Sequence, residues 1–223
     1  MPKSRQIAEM LKLINKEAIM NLSQGNFAEA LQMFEQGKTL EEKLGLKKQV
    51  AESLLNIANI HYLTQHYDAC LKNLKEAEKI FTGENNQEGI FKVLQLLIGL
   101  HFTKNEYLQS AQACERCLTL AISEKDKATS YFQGGVSYIK LNNHFRAQQY
   151  LNLAVKIFSE IKDQASLIDS LRQRALLFKN TARTHLALND LRRALELTSD
   201  DETKAVIEKQ ILNCQNNNRS SFF

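Results

Sequence analysis

The residues whose types and spacing could best do chemistry are the two cysteines of Cys114-Glu115-Arg116-Cys117. A C-x-x-C pair can bind zinc if a second pair of ligands is available, and it can act as a redox centre in a βαβ context. The sequence offers neither a second C-x-x-C nor a nearby Cys/His pair, and it has no strand pattern. We therefore interpret both cysteines, together with Cys70, as core residues, and we predict no bound metal and no cofactor.

Motifs of nucleotide-binding and hydrolytic enzymes are absent from the sequence. None of G-x-x-x-x-G-K-[ST], G-x-S-x-G or H-E-x-x-H occurs. The pair Gly134-Gly135 lies inside a predicted helix, where it cannot form a phosphate-binding loop. We predict that the protein is not an enzyme.

The composition predicts an all-helical protein. The 223 residues include one proline, Pro2, and eight glycines, so little in the chain interrupts a helix. Lysine and arginine number 29 against 25 acidic residues, and the two signs are interspersed, which does not favour a nucleic-acid partner. The N-terminus lacks the apolar segment of a signal peptide, and the most apolar stretch, 93–100, is short. These features, with only four cysteines, predict a cytoplasmic protein without membrane contact.

Internal repetition is the strongest signal in the chain. Similar turns are each followed by a helix with a small residue at the same position, namely Ala30, Cys70, Ser110, Ala147 and Ala194, at spacings of 40, 40, 37 and 47 residues. The helix before each turn also has a small residue at one equivalent position, namely Ala18, Ala58, Gly135 and Ala182. In the third copy this position is Ile98, and Gly99 lies beside it. Small residues let antiparallel helices approach closely, and stacked pairs then bury a continuous core.

The turn sequences Gly25-Asn26-Phe27-Ala28-Glu29-Ala30 and Leu188-Asn189-Asp190-Leu191 resemble those of the tetratricopeptide repeat family. The resemblance extends from about Leu11 to about Thr198, although the period is nearer forty than thirty-four residues and no proline follows each second helix. Repeats of about forty residues are similar to those of Pins-type adaptors and bacterial peptide-pheromone receptors. The resemblance implies a right-handed superhelical solenoid, all-α, of about five helix pairs with a C-terminal capping helix.

We expect one domain over residues 1–214. The predicted repeats span about 4–43, 48–81, 87–122, 126–160 and 165–198, with the cap at about 201–214 and a disordered tail at 215–223. The first helices are predicted at about 4–23, 48–64, 87–103, 126–141 and 165–188. The second helices are predicted at about 27–43, 67–81, 107–122, 144–160 and 190–198.

Three of the histidines, His61, His101 and His185, fall at equivalent positions of predicted first helices, where Tyr138 occupies the fourth copy. Stacked helices lie about 10 Å apart, whereas metal ligands must converge on one point about 2 Å from each nitrogen. We predict a packing role for these side chains.

Helical spacing places a set of amide, aromatic and basic side chains on the inner face of the predicted first helices. The candidate binding residues are Lys16, Asn56, Asn59, Tyr62, Gln95, Phe102, Phe132, Gln133, Lys179 and Arg183. An amide both donates and accepts, so it can pair with the backbone of an extended peptide, and the aromatic rings would supply anchors. The alternative is that these apolar residues pack between repeats and that amides are simply common in this chain.

The hypothesis is therefore an adaptor that binds another protein or peptide in a concave groove, and it allows a homo-oligomer. Of the basic and amide positions that clamp chaperone tails in this family, only Asn56 and Lys92 match, which argues against such tails. One alternative is a peptide-sensing regulator. A second is RNA binding through the basic cluster Arg172, Arg174, Lys179, Arg183, Arg192 and Arg193.

Overall fold

The computed structural model describes the backbone of residues 2–219 and the side chains of residues 6–216. Every regular element in that part of the chain is an α-helix, as the sequence predicts. The helices are α1 (Pro2–Ser23), α2 (Phe27–Lys43), α3 (Lys47–Leu63), α4 (Tyr67–Gly83), α5 (Gln87–Thr103), α6 (Tyr107–Leu120), α7 (Glu124–Lys140), α8 (His144–Glu160), α9 (Gln164–Asn180), α10 (Thr184–Leu197) and α11 (Asp201–Arg219).

Five helix pairs are joined by turns of one geometry. Each turn contains a residue with positive φ, at Gly25 (79°), Gln65 (62°), Asn105 (60°), Asn142 (56°) and Ala182 (57°). The next N–H closes the turn on a carbonyl of the preceding helix, as in His66 N to His61 O at 2.8 Å and Arg183 N to Phe178 O at 2.8 Å. This is a Schellman-type helix end. Its recurrence confirms the predicted repeat.

The fifth pair differs from its prediction. We expected helices over about 165–188 and 190–198, whereas α9 ends at Asn180 and α10 begins at Thr184. The predicted turn sequence Asn189-Asp190 lies inside α10, and Ala182, predicted to be a packing residue, is the residue with positive φ. Alanine rarely adopts this conformation, so the true turn has no sequence signal. The small residues of this pair are Ala175 and Ala187, both buried, and the last spacing is 40 rather than 47.

The short spacing of 37 residues has its origin in α6. This helix has 14 residues, against 17 in α2 and α4, and it ends two residues before the predicted position of 122. Ala121 is extended, and Ser123 then begins α7 through a capping box with Asp126. The repeat therefore loses residues at the end of a second helix and keeps its core positions.

The C-terminal helix is longer than predicted. Asp200 caps α11 by accepting a hydrogen bond from the Thr203 N–H at 2.7 Å. The helix continues to Arg219, into the segment from 215 where we expected disorder, and nothing in this polar segment breaks a helix. Residues 220–223 of the predicted tail lie outside the described residues.

The chain divides into two compact units, unit 1 (Met1–Leu100) and unit 2 (His101–Phe223), so the single domain over 1–214 stays a prediction. In unit 1, Ala18 and Ala30 let α1 and α2 approach, and Phe34 packs with Ile57 and Ile60 of α3. In unit 2, Gly134 and Gly135 let α7 approach α8. A Cβ on Gly135 would lie 2.7 Å from Cγ of Leu151. The repeated small residues are thus the points of closest helix approach.

Candidate functional site

In unit 1, three of the predicted binding residues share one face of α3. Asn56, Asn59 and Tyr62 follow one another at intervals of three residues, and each is partly exposed. Within the described part of the chain, the side-chain amides of Asn56 and Asn59 make no hydrogen bond. The same holds for Gln95 on α5, which is also partly exposed. We refer to these four residues, together with the exposed Lys16 on α1, as the unit 1 surface.

Tyr62 lies between α3 and α5. Its hydroxyl oxygen is 3.5 Å from the position that a Cβ on Gly99 would occupy, and its ring centroid is 6.2 Å from that of Tyr67. A Cβ at Gly99 would therefore be in ordinary van der Waals contact with the phenol, which places this ring against α5 beside the amides of the unit 1 surface.

Between the helices of unit 1, one amide and one hydroxyl donate hydrogen bonds to a single buried carboxylate. Asn15 Nδ2 donates to Glu41 Oε1 at 3.3 Å, and Ser53 Oγ donates to Glu41 Oε2 at 2.8 Å. Glu41 is only 1% exposed, so this carboxylate depends on these donors. Sequence reasoning missed the group, because a glutamate late in a second helix resembles an ordinary surface residue.

In unit 2, the predicted aromatic anchors are partly used in packing. Phe102 contacts Tyr107 edge-on, with ring centroids 5.2 Å apart. Phe132 on α7 is partly buried and packs against both core clusters of unit 2. Next to it, Gln133 Oε1 is buried without a hydrogen-bond partner among the described residues. We refer to Phe102, Phe132, Gln133, Val136 and Lys179 as the unit 2 surface.

Arg183 does not lie on a first helix. It is the residue before α10, its Nη1 donates to Gln148 Oε1 at 2.7 Å, and its guanidinium lies 4.8 Å from the centroid of the Phe178 ring. The prediction failed because it placed the fifth turn seven residues too late. Lys179 lies on α9, as predicted, three residues before the turn residue Ala182. Tyr62 has the equivalent position in α3, three residues before Gln65. The corrected register adds Arg172, Gln173 and Leu176, which sequence reasoning missed.

The histidines occupy helix ends and do not converge. The position held by His61, His101 and Tyr138 in three pairs is held in the fifth by Phe178, and His185 lies exposed on α10. His101 Nδ1 lies 2.6 Å from Glu106 Oε2, a contact that lowers the pKa of the Glu106 carboxyl. Burial, and then the neighbouring His66, lower the pKa of His61. No group of three potential metal ligands occurs among the described residues.

The cysteines of the C-x-x-C pair are buried in the core, as predicted. Cys114 and Cys117 are both fully buried, and burial raises the pKa of the Cys114 thiol above its ordinary range. Burial likewise raises the pKa of Cys117 to about 12 and that of Cys70 to about 11. Thiols in this state are protonated at neutral pH, and only the thiolate is a good nucleophile or metal ligand.

Most of the basic cluster that suggested RNA binding is bonded within the protein. Arg174 pairs with Asp190, Arg193 Nη2 donates to Ser159 Oγ at 3.2 Å, and Arg183 is held as described above. Guanidinium groups held by intramolecular acceptors have fewer donors for phosphates.

Comparison with solved structures identifies the fold. The apo form of RapI superimposes with a TM-score of 0.77 at 17% identity, over 84% of this chain and 70% of that one. Tetratricopeptide-like repeats of a putative kinesin light chain from Podosopora anserina give a TM-score of 0.71 at 13% identity, over 84% and 94% of the two chains. A Rap protein complexed with competence and sporulation factor gives 0.65 at 14% identity, over 96% and 70%. These values show a tetratricopeptide-type helical repeat.

No protein-family model and no curated protein sequence matches the chain. None of the described helices is both long enough and apolar enough to traverse a bilayer.

Proposed function

We propose that this chain, which has the fold of the tetratricopeptide-type repeat proteins, is a non-enzymatic adaptor that binds an extended segment of a partner polypeptide. The observation that supports this function is the state of the amides in the unit 1 surface. Asn56, Asn59 and Gln95 are partly buried, yet they make no hydrogen bond in the described part of the chain. Since no internal bond occupies these partly exposed amides, their donors and acceptors are available to a ligand.

An extended peptide has the groups that these amides lack. Its backbone N–H and C=O are unpaired, and each asparagine or glutamine can donate to one and accept from the other. The spacing of Asn56 and Asn59 places both on one face of α3, beside the ring of Tyr62. Such a surface pairs with backbone whatever the peptide sequence, while Tyr62 provides an apolar contact that selects among side chains.

The unit 2 surface supports the same function with one further group. Gln133 Oε1 is a buried acceptor without a partner among the described residues, on a helix that also carries Phe132. A rotation of the Gln133 side chain would let this oxygen accept from a peptide N–H. The mainly packed ring of Phe132 gives this surface less anchor area than the sequence predicted.

A peptide-sensing regulator is the second candidate. It is favoured by the similarity, over 96% of this chain, to a Rap protein whose structure contains competence and sporulation factor. The two functions differ in what binding does. A sensor requires a conformational change on binding, whereas an adaptor requires none. Hydrogen exchange of the bound and free protein distinguishes them, because a sensor changes protection away from the contact surface.

The direct test starts from a random peptide library displayed on phage and selected on the purified protein. A photoreactive benzoylphenylalanine replaces Tyr62 in one variant and Phe145, an exposed residue at the start of α8, in another. We expect a selected peptide to crosslink from position 62 and not from position 145. Crosslinking only from position 145, or selection of no peptide at all, would contradict the proposed function.

A further inference from the structure

A cavity of about 180 Å³ lies in unit 2, between α9, α10 and the C-terminal helix α11. Its polar lining comes from Arg172 and Lys179 on α9 and from Gln210, Asn213 and Cys214 on α11. Because one molecule of liquid water occupies about 30 Å³, this volume has room for a small polar group together with part of its carbon chain.

The lining contains two cations and no carboxylate. Arg172 Nε donates to Gln210 Oε1 at 3.2 Å, and Arg172 Nη1 lies 3.3 Å from Asp169 Oδ1, an exposed side chain outside the cavity. Lys179 has neither an ion pair nor a side-chain hydrogen bond among the described residues. An ammonium group that lines a cavity and has no internal counter-ion is available to an anion.

Hydrogen-bond donors surround the same space. Since the Gln210 oxygen already accepts from Arg172, its NH₂ group remains to donate, and Asn213 supplies a second amide. A carboxylate has two oxygens that together accept about four hydrogen bonds. The Lys179 ammonium and the two amides therefore match the needs of one carboxylate.

The position of the cavity relates it to the unit 2 surface. Arg172, Leu176 and Lys179 precede the turn residue Ala182 by 10, 6 and 3 residues, as Phe132, Val136 and Ile139 precede Asn142 on α7. The same face of the first helices thus continues from α7 to α9, where α11 covers it and closes the cavity. A polypeptide lying along this face would meet the cavity at α11.

We propose that this cavity binds a carboxylate of the partner polypeptide, either its C-terminal carboxylate or the side chain of an aspartate or glutamate. The inference rests on the proposed function and extends it, because it specifies one chemical group of the partner. Lys179 supplies the charge, Gln210 and Asn213 supply directional donors, and Arg172 holds Gln210 in place while adding a second positive charge.

Cys214 provides a reporter inside the cavity. Its thiol is buried, lines the cavity, and has a pKa raised by that burial. The other cysteines, Cys70, Cys114 and Cys117, are fully buried elsewhere in the core. Alkylation by N-ethylmaleimide, followed by peptide mass spectrometry, therefore measures access to this cavity at one identified residue.

The test uses four small probes with the full chain: N-acetylalanine, N-acetylaspartate with an amidated α-carboxyl, N-acetylalanine methylamide and inorganic phosphate. We expect at least one of the carboxylates to slow alkylation of Cys214 and to shift the amide NMR signals around Lys179 and Asn213. The neutral methylamide should do neither. The carboxylate probe that binds more tightly shows whether the cavity prefers the α-carboxyl group or the side-chain carboxyl group of the partner.

The matched variants are Lys179→Met and Lys140→Met, the latter an exposed lysine at the end of α7. Lys179→Met should weaken carboxylate binding at least about tenfold, and Lys140→Met should leave it unchanged. Equal effects of carboxylate and methylamide, binding of phosphate alone, or normal binding by a folded Lys179→Met protein would each overturn the proposal. These probes do not depend on the unit 1 amides, so failure here and failure of the proposed function are separate results.

Discussion

Arg174 on α9 and Asp190 on α10 form a two-point ion pair, with Nε to Oδ2 at 2.8 Å and Nη2 to Oδ1 at 2.7 Å. Both side chains are largely buried, at 17% and 10% exposure. Arg174 also donates from Nη1 to Asn152 Oδ1 on α8 at 2.9 Å. One guanidinium group therefore connects three consecutive helices of unit 2 and fixes the register of the fifth pair.

Removing the charge of Asp190 should destabilise the protein measurably. We expect Asp190→Asn to lower the free energy of unfolding by about 2–3 kcal/mol, because Arg174 would remain largely buried without its counter-ion. Urea denaturation followed by circular dichroism measures the change. The control is Glu160→Gln, which removes an exposed pair with Lys156 at 3.9 Å and should cost less than about 1 kcal/mol. Equal effects of the two substitutions would show that the pair does not hold the helices.

The close approach of α7 and α8 depends on two adjacent glycines. In Gly135→Ala the new methyl group would stand 2.7 Å from Leu151 Cγ and 3.4 Å from the Leu151 backbone nitrogen. Overpacking of this kind costs about 1–3 kcal/mol and should exceed the gain of about 1 kcal/mol in helix propensity. Gly83→Ala, at the end of α4 with no atom within 4 Å of the new Cβ, should be neutral or slightly stabilising. A stable Gly135→Ala protein with an unchanged thermal midpoint would contradict this packing.

The sequence predicted the helices on either side of the first four turns, of which only the turn at Gln65 lacks a residue type that readily adopts positive φ. Gly25, Asn105 and Asn142 are types that tolerate positive φ, and the helix bounds around them were predicted to within two residues at most of their ends. Ala182 is not such a type, so the fifth turn went to Asn189-Asp190, and Arg183 was assigned to the wrong surface. The pairing of Asp190 with Arg174 and the bonding of Glu41 to Ser53 depend on contacts between helices. No local pattern encodes them.

His61 should make the stability of unit 1 depend on pH. Its pKa is lowered below the ordinary value of 6.5, first by burial and then by the charge of His66, while Glu35 acts in the opposite direction. Below pH 6.5 the unfolded chain therefore takes up a proton at this residue more readily than the folded chain. Stability from this group is present above pH 6.5 and is lost as the pH falls through the lowered pKa.

The measurement is the urea midpoint at pH 7.5 and at pH 5.5. We expect His61→Gln to lose less stability between these values than the unsubstituted protein, whereas His185→Gln, at an exposed position on α10, should follow the unsubstituted protein. An unchanged pH dependence in His61→Gln would exclude His61 as its source.

The buried cysteines should behave as packing residues. We expect the protein with Cys114→Ala and Cys117→Ala to lose about 1–2 kcal/mol of stability, since both side chains fill core space. Purified protein should contain no zinc, with or without these substitutions, as measured by atomic emission. Stoichiometric zinc that disappears in the double variant would overturn this assignment.

We propose that the amides of the unit 1 surface bind a polypeptide backbone. Because Asn56 and Asn59 make no hydrogen bond in the described part of the chain, replacing both by alanine should orphan no buried partner and change stability little. The same reasoning does not extend to Gln133, whose partly buried position couples it to packing. The matched control is Gln32→Ala with Gln36→Ala, two exposed amides on the second helix α2 of the same unit.

The decisive measurement is the affinity of one library-selected peptide for three proteins by isothermal titration calorimetry. These are the unsubstituted protein, the Asn56→Ala and Asn59→Ala variant, and the Gln32→Ala and Gln36→Ala control. We expect the Asn56→Ala and Asn59→Ala protein to be folded and to bind more weakly by about 1–3 kcal/mol, which is about 5- to 150-fold in dissociation constant, while the Gln32 and Gln36 control binds normally. Unchanged affinity in the folded Asn56 and Asn59 variant, with a loss in the Gln32 and Gln36 control, would contradict this proposal and place the partner on the second helices.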